Sequence, residues 1–287
     1  MRIVVASGKG GTGKTTVATS LALVAAQQHT VCFRDCDVEA PNAALFLHPA
    51  FDTHREVGIL IPQIDAQQCT YCGKCARVCQ FNAIAIVGKK ALIFPELCHG
   101  CGSCTLVCPE QAISERLAVS GALDSGVTPE GIVFAQGVMD VGQPMAVPIL
   151  RELKEWSATD VTAAPDIEIR DAPPGASCPV VETMRGADFV LLVTEPTPFG
   201  LHDLKQVAAI AGQLGLPAGV VINRDGIGDD SVGAYCAENA LPILLRIPMQ
   251  REIAEAIARG HSLVETVPEY RPLFSNLLDQ ISARLDT

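Results

Sequence analysis

Eight cysteines between Cys69 and Cys108 stand in two matching runs: Cys69, Cys72, Cys75 and Cys79, then Cys98, Cys101, Cys104 and Cys108, the last followed by Pro109. Thiolates at this spacing bind four-iron four-sulfur clusters, and two copies of the run ask for two clusters. Upstream, Gly8-Lys9-Gly10-Gly11-Thr12-Gly13-Lys14-Thr15, continued by Thr16, is a loop whose backbone N–H groups can converge on one anion at the start of a helix. In such a loop Lys14 meets the β and γ phosphates of ATP, or the β phosphate of ADP, and the Thr15 hydroxyl binds Mg2+. One polypeptide thus carries nucleotide chemistry and thiolate-bound iron together.

The remaining composition narrows the setting. The chain has 287 residues, 48% apolar and 18% charged, with a formal net charge of −11. That charge argues against nucleic acid as a partner, because phosphate backbones are met by clustered Lys and Arg. An acidic protein is better matched to a basic patch on a redox or assembly protein. Twelve cysteines raise the alternative of a secreted disulfide scaffold, but disulfide frameworks do not favour a duplicated x2, x2, x3 spacing. Met1 leads directly into strand and loop without an apolar leader, so a reducing cytoplasm is expected. No apolar run approaches the roughly 20 residues that cross a bilayer, so stable membrane insertion is not expected. Structural zinc at two four-thiolate sites competes with iron–sulfur; the tight triplet in each run and the downstream Ala-Ile pairs favour iron–sulfur.

Elements must position these groups. Arg2 to Ser7 reads as a buried strand feeding the loop, Thr15 to Gln27 as a helix and Thr30 to Asp35 as a second strand. Further strands are expected at 167–171, 189–194, 219–223 and 243–247, with helices at 145–156, 201–214, 231–239 and 251–259. This alternation predicts an α/β fold with a mostly parallel sheet flanked by helices. Near Val57 the pattern breaks. Cys79-Gln80-Phe81-Asn82-Ala83-Ile84 matches Cys108-Pro109-Glu110-Gln111-Ala112-Ile113, so each half reads as a cysteine run followed by a short strand, with a hairpin turning at Gly88-Lys89-Lys90 between them. A small α+β unit over 60–117 is therefore expected, inserted into a discontinuous nucleotide domain of 1–59 and 118–287. So small a unit buries little apolar surface, so its clusters act as its core.

Lys9 is not required by an ordinary phosphate loop. With it, Gly-Lys-Gly-Gly-x-Gly-Lys-Thr resembles the deviant Walker A ATPases of the MinD, ParA and Mrp class, which includes the nitrogenase iron protein. The resemblance implies that Lys9 reaches the nucleotide of a partner subunit and that ATP promotes a face-to-face dimer, with a second copy or a paralogue. Asp35-Cys36-Asp37 with Pro41-Asn42 resembles the first switch of that class, where Asp37 orients the attacking water. Asp171-Ala172-Pro173-Pro174-Gly175 resembles the second: Asp171 supports magnesium through water, and the Gly175 N–H senses the γ phosphate. Asn223-Arg224 resembles the adenine-contacting pair and Ile247-Pro248 the nucleotide-edge loop. These motifs fall at the ends of expected strands, where open α/β sheets bind ligands. Arg170 departs from the apolar residue usual before the second-switch aspartate.

Over nearly its whole length the chain resembles MinD-like ATPases with an inserted two-cluster ferredoxin unit. In two-cluster ferredoxins the fourth cysteine of each run crosses over, which implies one cluster on Cys69, Cys72, Cys75 and Cys108 and the other on Cys98, Cys101, Cys104 and Cys79. Gln80 departs from the proline that often follows the fourth cysteine. Cys178 lies in the second-switch region, which in the nitrogenase iron protein supplies a ligand to a cluster bridging two subunits, but no second suitable cysteine accompanies it. Cys32, Cys36 and Cys236 read as core. The segment 269–285 carries Leu273, Phe274, Leu277, Leu278, Ile281 and Leu285 on one face. Its mixed-charge opposite face predicts packing on the protein rather than on lipid.

The leading function is an ATPase that couples nucleotide state to electron transfer. An iron–sulfur carrier of the Mrp type is the alternative, weakened because no Cys-x-x-Cys lies outside the insert. A spatial organiser like MinD or ParA is the third; it leaves the eight cysteines without a role.

Overall fold

The computed structural model describes residues 1–156 and 164–285. The chain begins β1 (Arg2–Ala6), α1 (Lys14–Ala25), β2 (Val31–Asp35), α2 (Ala44–Leu47). A 15-residue strand, β3 (Ala50–Ile64), leads to α3 (Lys74–Val78), β4 (Ile84–Val87), β5 (Lys90–Ile93) and α4 (Ser103–Leu106), and a second 15-residue strand, β6 (Ile113–Val127), returns. Then follow β7 (Val133–Met139), α5 (Val147–Glu155), β8 (Ile167–Asp171), α6 (Cys178–Met184), β9 (Phe189–Thr194) and α7 (Pro198–Gln213). The last elements are β10 (Ala218–Asp225), α8 (Ser231–Glu238), β11 (Ile243–Pro248), α9 (Arg251–Ala258), α10 (Leu263–Thr266) and α11 (Tyr270–Leu285).

Nine strands form one sheet in the order β11-β10-β9-β1-β8-β2-β7-β6-β3. The strands from β11 to β7 run parallel, and β6 and β3 add antiparallel at one edge. Strands covered on both faces read as continuous apolar runs, as β1 and β9 do. On β1, Ile3 and Val5 face the cluster built with α1, α9, α10 and α11, while Val4 and Ala6 face that of α6, α7 and α8. Helix α11 buries Phe274, Leu277, Leu278 and Ile281 in the first of these, whereas Leu273 remains half exposed.

The edge departs from expectation. Instead of a break near Val57, β3 runs through Ile64 and pairs with β6 along its whole length, so positions 59/60 and 117/118 lie inside strands. The strand after the second cysteine run is likewise long, not short. Residues 50–60 are mostly exposed and lack the buried face that marks a strand in sequence. Val57 pairs with Gly121 and Gly58 with Val119, which leaves Ser120 as an extra, bulged residue. β7 covers β6 only from Gly121 to Val127. The bulge therefore sits where the two-stranded ribbon leaves the main sheet; residues 65–112 follow from the ribbon's end and pack back along it, Gly100 against Ile59 and Leu60.

Helix α5 underlies that departure point. Ile149, Leu150 and Leu153 bury against Val57 and Leu123 of the ribbon and against Cys36 and Val38 after β2. The Ile149 side chain lies over two glycines: a Cβ on Gly121 would stand 2.8 Å from its Cδ1, and one on Gly137 3.0 Å from its Cγ2. Lys154 pairs at 2.8 Å with Glu182 of α6. One apolar cluster thus joins the Asp37 loop, α5 and the ribbon, and an ion pair ties α5 to the helix after Gly175.

Candidate functional site

The loop between β1 and α1 opens into a cleft of about 400 Å3 whose walls include Lys9 to Thr16, Asp37, Pro174, Asn223, Arg224 and Pro248. Of the other residues expected here, Gly8, Asp171 and Gly175 stand behind its surface. Gly8 is pressed against α7, where a Cβ would come within 2.4 Å of Asp203. Gly13 adopts φ +88°, and a Cβ on it would meet the Asn223 amide nitrogen at 2.2 Å. That nitrogen donates to the Thr12 carbonyl at 2.7 Å, so only glycine lets Asn223 lock the loop to β10.

Asp171, at the end of β8, holds the base of the loop. Lys14 Nζ donates to its Oδ1 and Thr15 Oγ1 to its Oδ2, each at 2.6 Å. The two groups expected to meet phosphate and magnesium therefore converge on one fully buried carboxylate. Burial pulls the Lys14 pKa down, but Asp171, with Asp35 and Asp37 beyond it, outweighs that and holds it above the ordinary lysine value. The Gly175 N–H donates to the Ser7 carbonyl at 2.9 Å instead of pointing into the cleft.

Asp35 stands beside Asp171 in the parallel register of β2 and β8. Complete burial, then the like charge of Asp171, pushes its pKa up to about 7, against the opposing pull of the Ala43 N–H and Lys14. Its carboxylate accepts from the N–H groups of Asp37, Asn42 and Ala43 at 3.1, 2.9 and 2.9 Å, and so ties down the loop that presents Asp37. Asp37 is itself raised, by burial first, with Lys14 opposing. Arg170, unusual in sequence, is buried and satisfied: its Nε donates to Glu168 at 2.6 Å and its Nη1 to the Thr183 and Arg185 carbonyls at 3.1 Å.

Sequence reasoning missed two features of the cleft. One is its apolar wall, where Met249, Ile253, Ala254 and Ile257 follow Pro248; the amphipathic pattern of α9 was the signal available. The other is Glu195, at the end of β9. Its buried carboxylate takes Lys9 Nζ at 2.9 Å on Oε2 and Arg224 Nη1 at 2.6 Å on Oε1. No local motif announces it.

The eight clustered cysteines gather around two separate hollows at the ribbon. Cys69, Cys72, Cys75 and Cys108 line one, with Ile64 and Ile113. Cys79, Cys98, Cys101 and Cys104 line the other, with Leu60 and Pro62. The same turn is built twice: Tyr71 and Gly100, Gly73 and Gly102, Asn82 and Gln111 occupy matching left-handed positions. N–H groups of Tyr71 and Ala83 donate to Cys69 and Cys79 Sγ at 3.4 and 3.3 Å, and those of Gly100 and Ala112 to Cys98 and Cys108 at 3.5 and 3.4 Å. Cys72 and Cys101 are lowered, the first mainly by the Lys74 N–H and the second by the Ser103 hydroxyl, while burial raises Cys75 and Cys104. Among the described residues no three His, Cys, Asp or Glu side chains converge closely enough to hold one metal ion. Cys32, Cys36 and Cys236 are buried, burial pushing Cys36 up to about 12, and Cys178 is exposed at the start of α6. Among the described residues no helix is long and apolar enough to cross a membrane.

Comparison with known proteins bears on the nucleotide-binding fold. Residues 3–264 match the family model CbiA, described as the CobQ/CobB/MinD/ParA nucleotide binding domain. The chain is 31% identical over 267 residues to uncharacterized protein MJ0579 of Methanocaldococcus jannaschii, covering 92% of each. It is 32% identical over 229 residues to MJ0578 of the same organism, covering 80% of each. In fold it is similar to the Pyrococcus horikoshii septum site-determining protein MinD complexed with Mg-ADP, with a TM-score of 0.57 and 19% identity over 98% of this chain and 95% of that one.

Proposed function

Because the chain belongs to the MinD/ParA-type family of P-loop nucleotide-binding proteins, we propose that it is a Mg2+-dependent ATPase whose nucleotide state governs electron transfer through two four-iron four-sulfur clusters. Residues 60–117 act as a two-cluster ferredoxin unit inserted between 1–59 and 118–287 of the ATPase domain. The observation that carries this reading is the sorting of the cysteines: each hollow takes three from one run and the fourth from the other, the crossed pattern of two-cluster ferredoxins. Four thiolates around each hollow, sorted across the two runs, are the donor set that such a cluster takes. The paired N–H donors to sulfur are of the kind that tune cluster potentials.

At the nucleotide cleft, Lys14 and the N–H groups of Gly10 to Thr16 hold phosphate, and Thr15 with Asp171 supports magnesium. Asp37 orients water, and Asn223, Arg224 and Pro248 take the base edge. ATP brings two subunits together, with Lys9 completing the partner's site. The second subunit is another copy or a related chain. The spatial-organiser reading is partly consistent with the fold shared with MinD, but it leaves the eight cysteines without a role; the cargo-carrier reading has no Cys-x-x-Cys outside the insert to carry it.

The test is anaerobic purification and reconstitution, followed by iron and sulfide analysis and by cluster midpoint potentials with and without Mg-ATP. A nucleotide-dependent shift is expected. By linkage, reducing the clusters must change ATP affinity by the same factor. Zinc in place of iron, or potentials indifferent to nucleotide, would sink the proposal.

A further inference from the structure

Glu195 is a buried carboxylate with two cations, one on each oxygen. Lys9 comes from the phosphate loop and Arg224 from the residue after Asn223. Its backbone is fixed. Its carbonyl accepts from the Thr197 N–H at 2.8 Å, and Gly200 passes so close that a Cβ there would reach that carbonyl at 2.2 Å. Arg224 sits in a left-handed conformation, φ +54°, at a register shift between Asn223 and Asp225. The bulge turns its side chain back toward β9.

We infer that Glu195 is a positioning residue that holds Lys9 within its own subunit and thereby sets how readily two subunits join. This rests on the proposed role of Lys9 in the partner's site. While its ammonium lies 2.9 Å from Glu195, Lys9 is committed to its own chain. A buried carboxylate left without a cation is costly, yet releasing Lys9 does not strand Glu195, because Arg224 stays at 2.6 Å. Lys9 is 37% exposed on its side chain, and so screened a pair is worth up to about fivefold in an equilibrium constant. The hold biases the subunit toward the monomer without preventing transfer. Arg224 sets its strength: with that cation removed, Glu195 depends on Lys9 alone and grips it harder.

The test uses the full-length, iron-reconstituted protein and measures the dimer dissociation constant by sedimentation at saturating Mg-ATP, which separates pairing from nucleotide affinity. Glu195→Gln is expected to tighten the dimer by up to about fivefold for each Lys9 released, or up to roughly 25-fold for two. Arg224→Ala is expected to weaken it. In a Lys9→Ala background, Glu195→Gln should change nothing. A merely structural role for Glu195 predicts loss of the dimer in every variant; thermal unfolding of each variant separates that case. If the wild type dimerises and Glu195→Gln leaves its constant within twofold, or if both substitutions move it the same way, the inference is overturned while the dimer stands. A wild type that stays monomeric with ATP overturns both.

Discussion

Lys14 Nζ lies 2.6 Å from Asp171 Oδ1, while Thr15 donates to the other oxygen of the same carboxylate. Asp171 therefore occupies, within the chain, the two groups proposed to meet phosphate and magnesium. Asp171→Asn leaves Thr15 and Lys14 without that anion and removes support for the metal. The Mg2+ concentration for half-maximal ATP hydrolysis is expected to rise by about 10- to 100-fold. A metal titration of the hydrolysis rate measures this, and an unchanged midpoint would remove Asp171 from the metal's surroundings.

Asp37 borders the cleft on a loop fixed by three N–H donations to Asp35. Asp37→Asn keeps the side chain's shape and removes its capacity as a base. Hydrolysis is expected to fall by about 100- to 10,000-fold, with ATP affinity held within a few-fold. Equal losses in rate and affinity would assign Asp37 to binding instead.

Asp35 makes stability depend on pH. Its folded pKa of about 7 exceeds the unfolded value of about 3.9, so between these limits the folded protein binds a proton that the unfolded chain releases. Stability contributed by this group is fully present below about pH 4 and is lost as pH rises through about 7. In Asp35→Asn that loss disappears, so the variant should gain on the wild type between pH 5 and pH 8. Urea midpoints at the two pH values decide it; parallel shifts would contradict the assignment.

The crossed quartets, expected from the cysteine runs and sorted the same way around the two hollows, can be tested one cysteine at a time. Cys108→Ser should lose the same cluster as Cys69→Ser, and Cys79→Ser the same cluster as Cys101→Ser. Each variant should keep about half of the roughly eight irons, and spectra should pair the variants across the runs. Pairing within a run would show uncrossed ligation.

Helix α5 touches the Asp37 loop, the ribbon and, through Lys154, α6. Truncating fully buried Leu153 to Ala should cost about 2–5 kcal/mol. Iron content should remain intact while the ATP-dependent shift in cluster potential shrinks. An undiminished shift in a measurably destabilised variant would route the coupling elsewhere.

The parallel strands were legible because burial on both faces leaves uninterrupted apolar runs, as in Phe189-Val-Leu-Leu-Val-Thr194, found within a residue of expectation. The phosphate loop and both cysteine runs were legible because their chemistry fixes their spacing. β3 was not: a ribbon exposed along much of its length has no apolar alternation, and Pro62 reads as a breaker. Helix α6 was also missed, since Cys178-Pro179 at its start resembles a turn. Glu195 was invisible for another reason. Its meaning lies in two cations that meet only when β1, β9 and β10 are aligned.

The Ser120 bulge has a mechanical consequence. From it to the pair Ile64–Ile113 the ribbon extends about 20 Å at ~3.3 Å per residue, with the Cys79 quartet beside Leu60 and the Cys69 quartet at the tip. A pivot of this ribbon at the bulge would act on its tip as a lever. A pivot of about 5° there sweeps the tip through roughly 2 Å and displaces the inner quartet less. In a ribbon that pivoted there, small repacking beneath the bulge would be magnified outward, and the outer quartet would move further than the inner one.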